Sequence, residues 1–199
     1  MRTIATRSGP RESAGSALGA CKGGWVGTPR GRFFLLREGT PAHRSAERRM
    51  SRFHSHMDAA LSEARAAGAR GEVPVGAVIV APDGRVIAAE GNRTREHADP
   101  TAHAELLAIR TACAAAGSER LPGHDLYVTL EPCAMCAAAI GFARLNRLYY
   151  GAADPKSGGV AHGARVFAHS QCHHAPEVYD GIGAAEAEAL LREFFERLR

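Results

Sequence analysis

Two short motifs hold the residues that could do chemistry. The first contains His103 and Glu105 in the string Thr-Ala-His-Ala-Glu, and the second contains Cys133 and Cys136 in Glu-Pro-Cys-Ala-Met-Cys. An imidazole and two thiolates are ligands that zinc prefers in tetrahedral geometry. Three protein ligands leave a fourth position open for water, and Glu105 lies close enough in sequence to move protons there. The pattern therefore indicates a catalytic zinc site with Glu105 as its acid–base group.

Helix ends must position these residues. Cys133 and Cys136 are neighbours on one face of a helix, and Pro132 suits the first turn because it lacks an amide hydrogen. His103 and Glu105 would point about 200° apart on the flank of a helix. Both can face one metal only if the metal lies beyond the helix end. We therefore expect two helix N-termini to converge on the site, where their partial positive charge favours thiolates.

A closed, purely structural zinc site is the alternative, and it requires a fourth ligand. The candidates are Cys113, Cys172, His173 and His174. Cys113 lies roughly 15 Å from His103 along the same predicted helix and is more typical of a small core residue. A closed site would also leave Glu105 without a role, which favours the catalytic interpretation. Whether the Cys172-His173-His174 cluster binds anything stays open.

Composition indicates a globular protein. The chain has 199 residues, 45% of them hydrophobic, which suits one domain with a sizeable core. Five cysteines, of which the metal takes two, give no disulfide framework and indicate a reducing compartment. No apolar stretch approaches the length of a membrane span. We therefore predict a cytoplasmic protein without membrane contact.

The first 50 residues differ from the rest in charge. Residues 1–50 hold ten Lys and Arg against three Glu, a net charge of +7, whereas residues 51–199 hold fifteen against eighteen acids, a net charge of −3. The N-terminal segment is rich in Gly, Ser, Arg and Pro without sustained periodicity, which predicts a disordered basic extension. Three interpretations stay open: a start codon assigned too early, with Met50 and Met57 just before the folded pattern; a basic arm that helps to hold RNA; or an organelle transit peptide.

Hydrophobic periodicity and turn residues predict a regular order of elements from Met57 onward. Helices are predicted over 57–69, 99–117, 133–143 and 184–198, where Asp99, Pro100 and Thr101 form the start of the second helix and Gly117 its end. Strands are predicted over 73–81, 85–89, 125–130, 147–151 and near Val178. Strands that alternate with helices indicate an α/β fold whose mixed sheet is covered by helices on both faces. Both metal motifs fall where strand ends meet helix N-termini, the usual place for chemistry in such sheets.

In these motifs the chain resembles the cytidine-deaminase-like superfamily, whose nucleobase deaminases have the signature H-x-E followed by P-C-x-x-C. Within it, the chain is most similar to the bacterial tRNA adenosine deaminases, over roughly residues 57–199. The further shared segments are 72–78, 91–93, 99–101, 126–130, 151–158 and 194–195. The loop Asp154–Gly158, with the His-rich segment after it, is more particular to the tRNA enzymes than the zinc signature. The resemblance implies a three-layer α/β/α fold with a mixed five-stranded sheet.

The resemblance also implies a reaction. His103, Cys133 and Cys136 would hold one zinc ion per chain, and Glu105 would shuttle protons while water replaces the exocyclic amine at C6 of adenine. The product would be inosine at the wobble position of a tRNA anticodon. The family points to an arginine tRNA and to a homodimer, with the region around Ile140 and Phe142 near the interface.

Five residues would contact the substrate. Asn92 would hydrogen-bond the flipped purine, because an amide offers both a donor and an acceptor. Val73 and Leu130 would wall the base pocket. Asp154 would contact the nucleotide beside the target, with a simple Asp-Pro turn as the alternative, and Lys156 would contact RNA nearby. The first four assignments follow from the resemblance, and that of Lys156 follows from the need for cations near the pocket.

The net charge of −3 over residues 51–199 requires that cations cluster near the pocket if RNA is to bind. The candidates are Arg93, Arg95, Lys156, Arg165, His169, His173, His174, Arg192, Arg197 and Arg199. Two other functions stay open. A free-base or nucleotide deaminase acting on guanine or cytosine would need no phosphate contacts, so its binding would hardly change with salt. A non-catalytic, zinc-stabilised RNA-binding module would leave Glu105 unused.

Overall fold

The computed structural model describes residues 55–199. Its helices are α1 Met57–Ala69, α2 Ala104–Ala116, α3 Ala134–Phe142 and α4 Ala184–Glu196, and its strands are β1 Gly76–Val80, β2 Val86–Gly91, β3 Asp125–Leu130, β4 Arg147–Ala152 and β5 Glu177–Tyr179. Each predicted helix and strand is present. The predicted extension at residues 1–50 lies outside the described residues and stays a prediction. None of the helices within residues 55–199 combines the length and the hydrophobicity of a membrane span.

The five strands form one mixed sheet in the order β2-β1-β3-β4-β5. Strand β1 runs antiparallel to β2 and β3, whereas β3, β4 and β5 run parallel to one another. Parallel neighbours need a crossover connection, and α3 supplies it between β3 and β4. The mixed five-stranded sheet expected from the sequence is confirmed.

Helices cover both faces of the sheet, because residues along a strand alternate between faces. Ala77 and Ile79 of β1 belong to a core that includes buried residues of α2 and α3. Val78 and Val80 belong to a second core with buried residues of α1 and α4. The two cores on opposite faces of one sheet confirm the three-layer α/β/α architecture.

Helix α2 begins later than predicted, and this difference positions the site. The predicted start is a turn in which the Asp99 carboxylate accepts hydrogen bonds from the amide and the hydroxyl of Thr101, both at 2.7 Å. The helix begins instead at Ala104, whose amide donates to Oδ1 of Asn92 at 2.9 Å. Because this cap comes from another segment of the chain, the local sequence does not reveal it. His103 therefore precedes the helix in an extended conformation.

Strand β1 also begins later than predicted, at Gly76 rather than Val73. Pro74 has no amide to donate to a sheet, and the Val75 amide donates back to the Val73 carbonyl at 2.8 Å. At Gly76, helix α1 passes so close that a Cβ atom would lie 2.1 Å from the carbonyl oxygen of Ala60. As a result, Val73 lies beyond the end of the strand.

Candidate active site

The three predicted zinc ligands converge at the N-termini of α2 and α3. His103 and Cys133 immediately precede these helices with extended backbones, and Cys136 lies in the first turn of α3. Nδ1 of His103 is 3.7 Å from Sγ of Cys133 and 3.5 Å from Sγ of Cys136, and the three ligand atoms lie within 4.8 Å of one another. In a tetrahedral site with Zn–S bonds of about 2.3 Å and Zn–N bonds of about 2.0 Å, nitrogen and sulfur are about 3.5 Å apart. The donor set and its spacing fit one zinc ion.

The electrostatics of Cys133 suit metal binding. The Cys136 thiol donates a hydrogen bond to Cys133 and, together with nearby His103, lowers the pKa of Cys133 to about 4. The same hydrogen bond raises the pKa of Cys136, and the contact with Cys133 raises the pKa of His103. A thiolate at Cys133 is therefore favoured at neutral pH, which is the form that a zinc ligand takes.

Glu105 lies in the first turn of α2, beside the three ligands. It is 4% exposed, and burial raises its pKa above the ordinary value. Because His103 lies outside the helix, it and Glu105 line the same pocket, although two such residues within a helix would point apart. We call His103, Glu105, Cys133 and Cys136 the pocket floor.

A pocket of about 220 Å³ is lined by His103, Glu105 and Cys133 of the pocket floor, with Cys136 buried beneath them. Four of the predicted substrate contacts line it, namely Val73, Asn92, Leu130 and Asp154. The fifth, Lys156, lines a larger groove of about 650 Å³ instead. The residues common to pocket and groove are Val73, Leu130, Asp154 and Ser157, and the groove continues along Leu191, Phe195, Leu198 and Arg199. The site is thus a small pocket that opens into a longer groove.

Asn92 and Asp154 make structural hydrogen bonds besides lining the pocket. Asn92 caps α2 through Oδ1, as described above, which fixes its carboxamide and leaves the two N–H donors of Nδ2 for other partners. Oδ1 of Asp154 accepts hydrogen bonds from the amides of Lys156 and Ser157, both at 3.0 Å. The Asp-Pro turn considered for this residue is therefore present, and it fixes the direction of the backbone at Lys156 and Ser157.

Sequence reasoning did not single out a buried carboxylate at one side of the pocket. Glu72 is 2% exposed and accepts hydrogen bonds from the hydroxyl of Thr94 at 3.1 Å and from the amides of Arg95 and Glu96, both at 2.9 Å. Burial favours a raised pKa for Glu72, but these hydrogen bonds outweigh it and hold the pKa below the ordinary value. The carboxylate thus fixes the loop 93–99 beside Asn92.

A second buried carboxylate, Glu131, fixes the opposite side. Its oxygens accept hydrogen bonds from the amides of Asp154, Val160, Ala161 and His162 at 2.9–3.2 Å and lie 2.7 Å from Nδ1 of His162. Burial opposes ionisation of Glu131, yet hydrogen bonds, those from His162 and Asp154 foremost, lower its pKa to about 2. We call the segments 93–99 and 153–162 the pocket rim. An acidic residue next to a buried strand, as Glu131 follows β3, is the sequence signal that could have identified this role.

The candidate fourth ligands lie away from the pocket floor. Cys113 packs against the core of α2 and α3. Cys172, His173 and His174 line a separate groove beside Phe142. Sγ of Cys172 donates to the carbonyl oxygen of His174 at 3.1 Å. Within the described region, the three floor ligands are the one group of His, Cys, Asp or Glu residues spaced to hold a metal. The geometry therefore favours an open zinc site over a closed one.

Some of the cations expected near the pocket are already paired. Arg93 contacts the Glu96 carboxylate at 2.8 Å, and Arg197 pairs with Glu193. Four other candidates form no ion pair with any residue of 55–199. They are Lys156, Arg165, Arg192 and Arg199. These cations are the better candidates for contact with a polyanion.

Comparison with known proteins gives the family. A family model described as the cytidine and deoxycytidylate deaminase zinc-binding region matches residues 50–152. The tRNA-specific adenosine deaminase of Agrobacterium fabrum is 64% identical over 143 residues, which cover 72% of this chain and 93% of that protein. A solved structure from studies of A-to-I editing by tRNA:A34 deaminases is 64% identical, with a TM-score of 0.67, and the match covers 68% of this chain and 97% of that chain. A guanine deaminase from Nitrosomonas europaea is 26% identical, with a TM-score of 0.60, over 69% of this chain and 81% of that chain. The chain therefore belongs to the tRNA-specific adenosine deaminase family and contains the zinc-binding region that the cytidine and deoxycytidylate deaminases share.

Proposed function

We propose that this chain converts adenosine to inosine at the wobble position of a tRNA anticodon. The observation that carries the proposal is a buried Glu105 beside a three-ligand zinc site, at the floor of a pocket that opens into a groove. The similar protein from Agrobacterium fabrum is named a tRNA-specific adenosine deaminase, and the similar structure comes from work on tRNA:A34 deaminases. Both names support the same substrate.

We assign His103, Cys133 and Cys136 as the ligands of one zinc ion per chain. When bound, zinc lowers the pKa of its water toward about 7 and so supplies a nucleophile at neutral pH. The chain contributes the thiolate form of Cys133 and two helix N-termini, whose positive ends stabilise negative charge.

Glu105 carries protons and does not bind the metal. It takes a proton from the attacking water and delivers it to the adenine ring nitrogen, and it then takes the second proton from the oxygen added at C6 and delivers it to the departing amine. Adenosine and water thus give inosine and ammonia. Burial raises the pKa of Glu105 above the ordinary value. A carboxyl group beside the reacting atoms can both accept and return a proton.

Asn92, Val73 and Leu130 hold the target base. The two apolar side chains supply walls for the purine, and Asn92 supplies the N–H donors of Nδ2 while its oxygen stays fixed by the cap of α2. The base must leave its stack to enter such a pocket. An anticodon loop is already unpaired, so this step costs less there than in a duplex.

Asp154 and Lys156 contact the RNA next to the target base. Asp154 lines both the pocket and the groove, whereas Lys156 lines the groove alone, so the strand leaves the pocket along the groove toward Arg199. Local cations therefore offset the net charge of −3 over residues 51–199. Charges along this path matter more than the total.

The assembly, the compartment and the tRNA belong to the same proposal. Phe142 is 76% exposed at the end of α3 and borders a groove of about 320 Å³ with Ala137, Ala138 and Gly141, a surface that a second copy would cover in a homodimer. Ile140 does not contribute to this surface, because it is fully buried in the core of the chain itself.

All four described cysteines are free, in keeping with the cytoplasm. An arginine tRNA is the substrate that the resemblance favours.

The test is direct measurement of the product. The full chain is incubated with total tRNA and, separately, with free guanine, cytosine and adenosine. We expect inosine at position 34 of a tRNA, as in the A34 substrates of the related enzymes. Rapid deamination of free guanine or cytosine without inosine in tRNA would contradict the proposal and favour a free-base deaminase.

A further inference from the structure

One side chain links the segment that carries Asp154 and Lys156 to residues 131–133, which we call the metal-binding turn. This side chain is Glu131, which is 0% exposed. Oε1 accepts the amides of Val160, Ala161 and His162, while Oε2 accepts the amide of Asp154 and contacts Nδ1 of His162. Donors from both ends of the segment 154–162 thus converge on one carboxylate.

Backbone contacts join the same two regions. Cys133 and Gly158 form an antiparallel β-bridge, and the amide of Gly159 donates to the carbonyl oxygen of Pro132 at 2.8 Å. A Cβ atom at Gly158 would lie 2.5 Å from the carboxyl carbon of Glu131, and one at Gly159 would lie 2.5 Å from the first amide of α3. The segment is therefore wrapped closely around the Glu131 carboxylate and the start of α3.

We propose that Glu131 is a positioning residue, which fixes the segment 154–162 on the metal-binding turn and so holds Asp154 and Lys156 in register with the pocket floor. This inference rests on the proposed function, because it concerns how the same site holds RNA. Glu131 immediately precedes Pro132 and Cys133, so a zinc ligand and the anchor of the RNA-contacting segment share one turn. A shift of the segment would misplace its contacts while leaving the metal in place.

The chemistry of the contacts requires a carboxylate at this position. Both oxygens of Glu131 accept hydrogen bonds from N–H groups. A glutamine has nearly the same shape but turns an NH₂ group toward donors, whereas an aspartate keeps both acceptors and the charge on a shorter stem. Glu131→Gln should therefore disturb the segment more than its change in volume would suggest, and Glu131→Asp should partly rescue it.

Kinetics on an anticodon stem-loop separate positioning from simple loss of structure. Glu131→Gln should raise KM about tenfold, change kcat by less than about threefold and keep one zinc per chain. His162→Ala removes only the contact of the half-exposed imidazole and should shift KM in the same direction by less. If both Glu131→Gln and His162→Ala lost zinc and lost kcat to the same extent, the proposal would be overturned, since this result would show a purely structural role.

A double-mutant cycle tests whether Glu131 acts through the segment. In a background with Asp154→Ala and Lys156→Ala, Glu131→Gln should raise KM by less than about twofold, because the contacts that it positions are already gone. The matched control is Glu72→Gln, the other buried carboxylate, which holds the loop 93–99 and should keep its full effect in that background. If the effect of Glu131→Gln were also undiminished, the proposal would be wrong.

Amide hydrogen exchange gives a readout that does not depend on activity. Glu131→Gln and His162→Ala should speed exchange within 154–162 and leave 93–99 unchanged, while Glu72→Gln should do the reverse. If the wild-type chain formed no inosine, the proposed function would fail, yet this exchange pattern would still decide the role of Glu131. Unchanged exchange in 154–162 in a folded Glu131→Gln, or in His162→Ala if the former does not fold, would overturn the inference.

Discussion

The pocket floor and the pocket rim are held by different means. The floor residues stand at the N-termini of α2 and α3, where helical hydrogen bonds and core packing fix them. The rim consists of two irregular segments, 93–99 and 153–162, each fixed by one buried carboxylate. In the function that we propose, the floor performs the reaction and the rim holds the RNA.

The two sides of the rim also differ from each other. Glu131 receives hydrogen bonds from both ends of its segment and lies next to a zinc ligand. Glu72 binds two consecutive amides and one hydroxyl of its loop, and it lies next to Val73 at the wall of the pocket. The side of the rim that carries Lys156 is thus the one attached to the metal-binding turn.

The largest effect should come from removing a ligand of the floor. Cys133→Ser should lose zinc and detectable turnover and should unfold at a lower temperature, because metal binding stabilises the fold that forms the site. Metal analysis and a thermal melt measure both effects. The control is Cys113→Ser, since Cys113 packs against the core and should leave the zinc content at one per chain. A full zinc content in Cys133→Ser would contradict the assignment of the floor.

Removing the acid–base group should come next. Glu105→Gln should lower kcat by about 10²–10⁴-fold, the usual contribution of a general acid–base group, with zinc and stem-loop affinity unchanged. Single-turnover assays and metal analysis separate these quantities. The exposed Glu188 of α4 offers the matched control, Glu188→Gln, which should behave as the wild type. Near-normal turnover in Glu105→Gln would remove Glu105 from the mechanism.

Asn92 caps α2 and, in the proposed function, also contacts the target base. Two substitutions can separate these two roles. Asn92→Ala should lower turnover and also destabilise the fold by about 1 kcal/mol, because α2 loses its cap. Asn92→Asp keeps a capping oxygen but loses the N–H donors, so it should lower turnover with less loss of stability. Chemical denaturation and kinetics measure the pair. Equal destabilisation by both substitutions would argue against the capping role.

The smallest effect should come from the outer part of the rim. Lys156→Ala should leave kcat unchanged and make the logarithmic dependence of stem-loop affinity on salt shallower by about 0.7, the value of one phosphate contact on a single strand. Titrations at several salt concentrations measure this slope. Arg85→Ala at the β1–β2 hairpin, where Arg85 pairs with Asp83, should not change it. A salt dependence that is flat in the wild type would favour a free-base substrate.

The floor could be predicted from the sequence because its information is local. His103 and Glu105 lie in one motif, Cys133 and Cys136 in another, and ligand chemistry together with helix geometry suffices to bring them to one metal. The helices and strands were also predictable, since alternation and turn residues are local signals. These signals indicated a mixed sheet covered on both faces, whereas the zinc-dependent family and the five-stranded, three-layer fold followed from the resemblance that the motifs carry.

The rim could not be predicted in the same way, because its hydrogen bonds join distant segments. Glu131 and its partner His162 are 31 residues apart, and Glu72 and Thr94 are 22 residues apart. The predicted start of α2 was wrong for the same reason, since the side chain of Asn92 caps the amide of Ala104, 12 residues further along the chain. Nothing in local periodicity reveals which loop folds over a buried carboxylate.

The central claim is that this pocket deaminates adenosine in an anticodon loop. The most direct measurement is mass analysis of an anticodon stem-loop with adenosine at the wobble position, after incubation with the wild-type chain and with Glu105→Gln. The account predicts a gain of about 1 Da at that nucleotide, as an amino group is replaced by oxygen, with the wild type alone. An unchanged nucleotide with zinc-loaded wild-type protein, or equal conversion by both proteins, would contradict it.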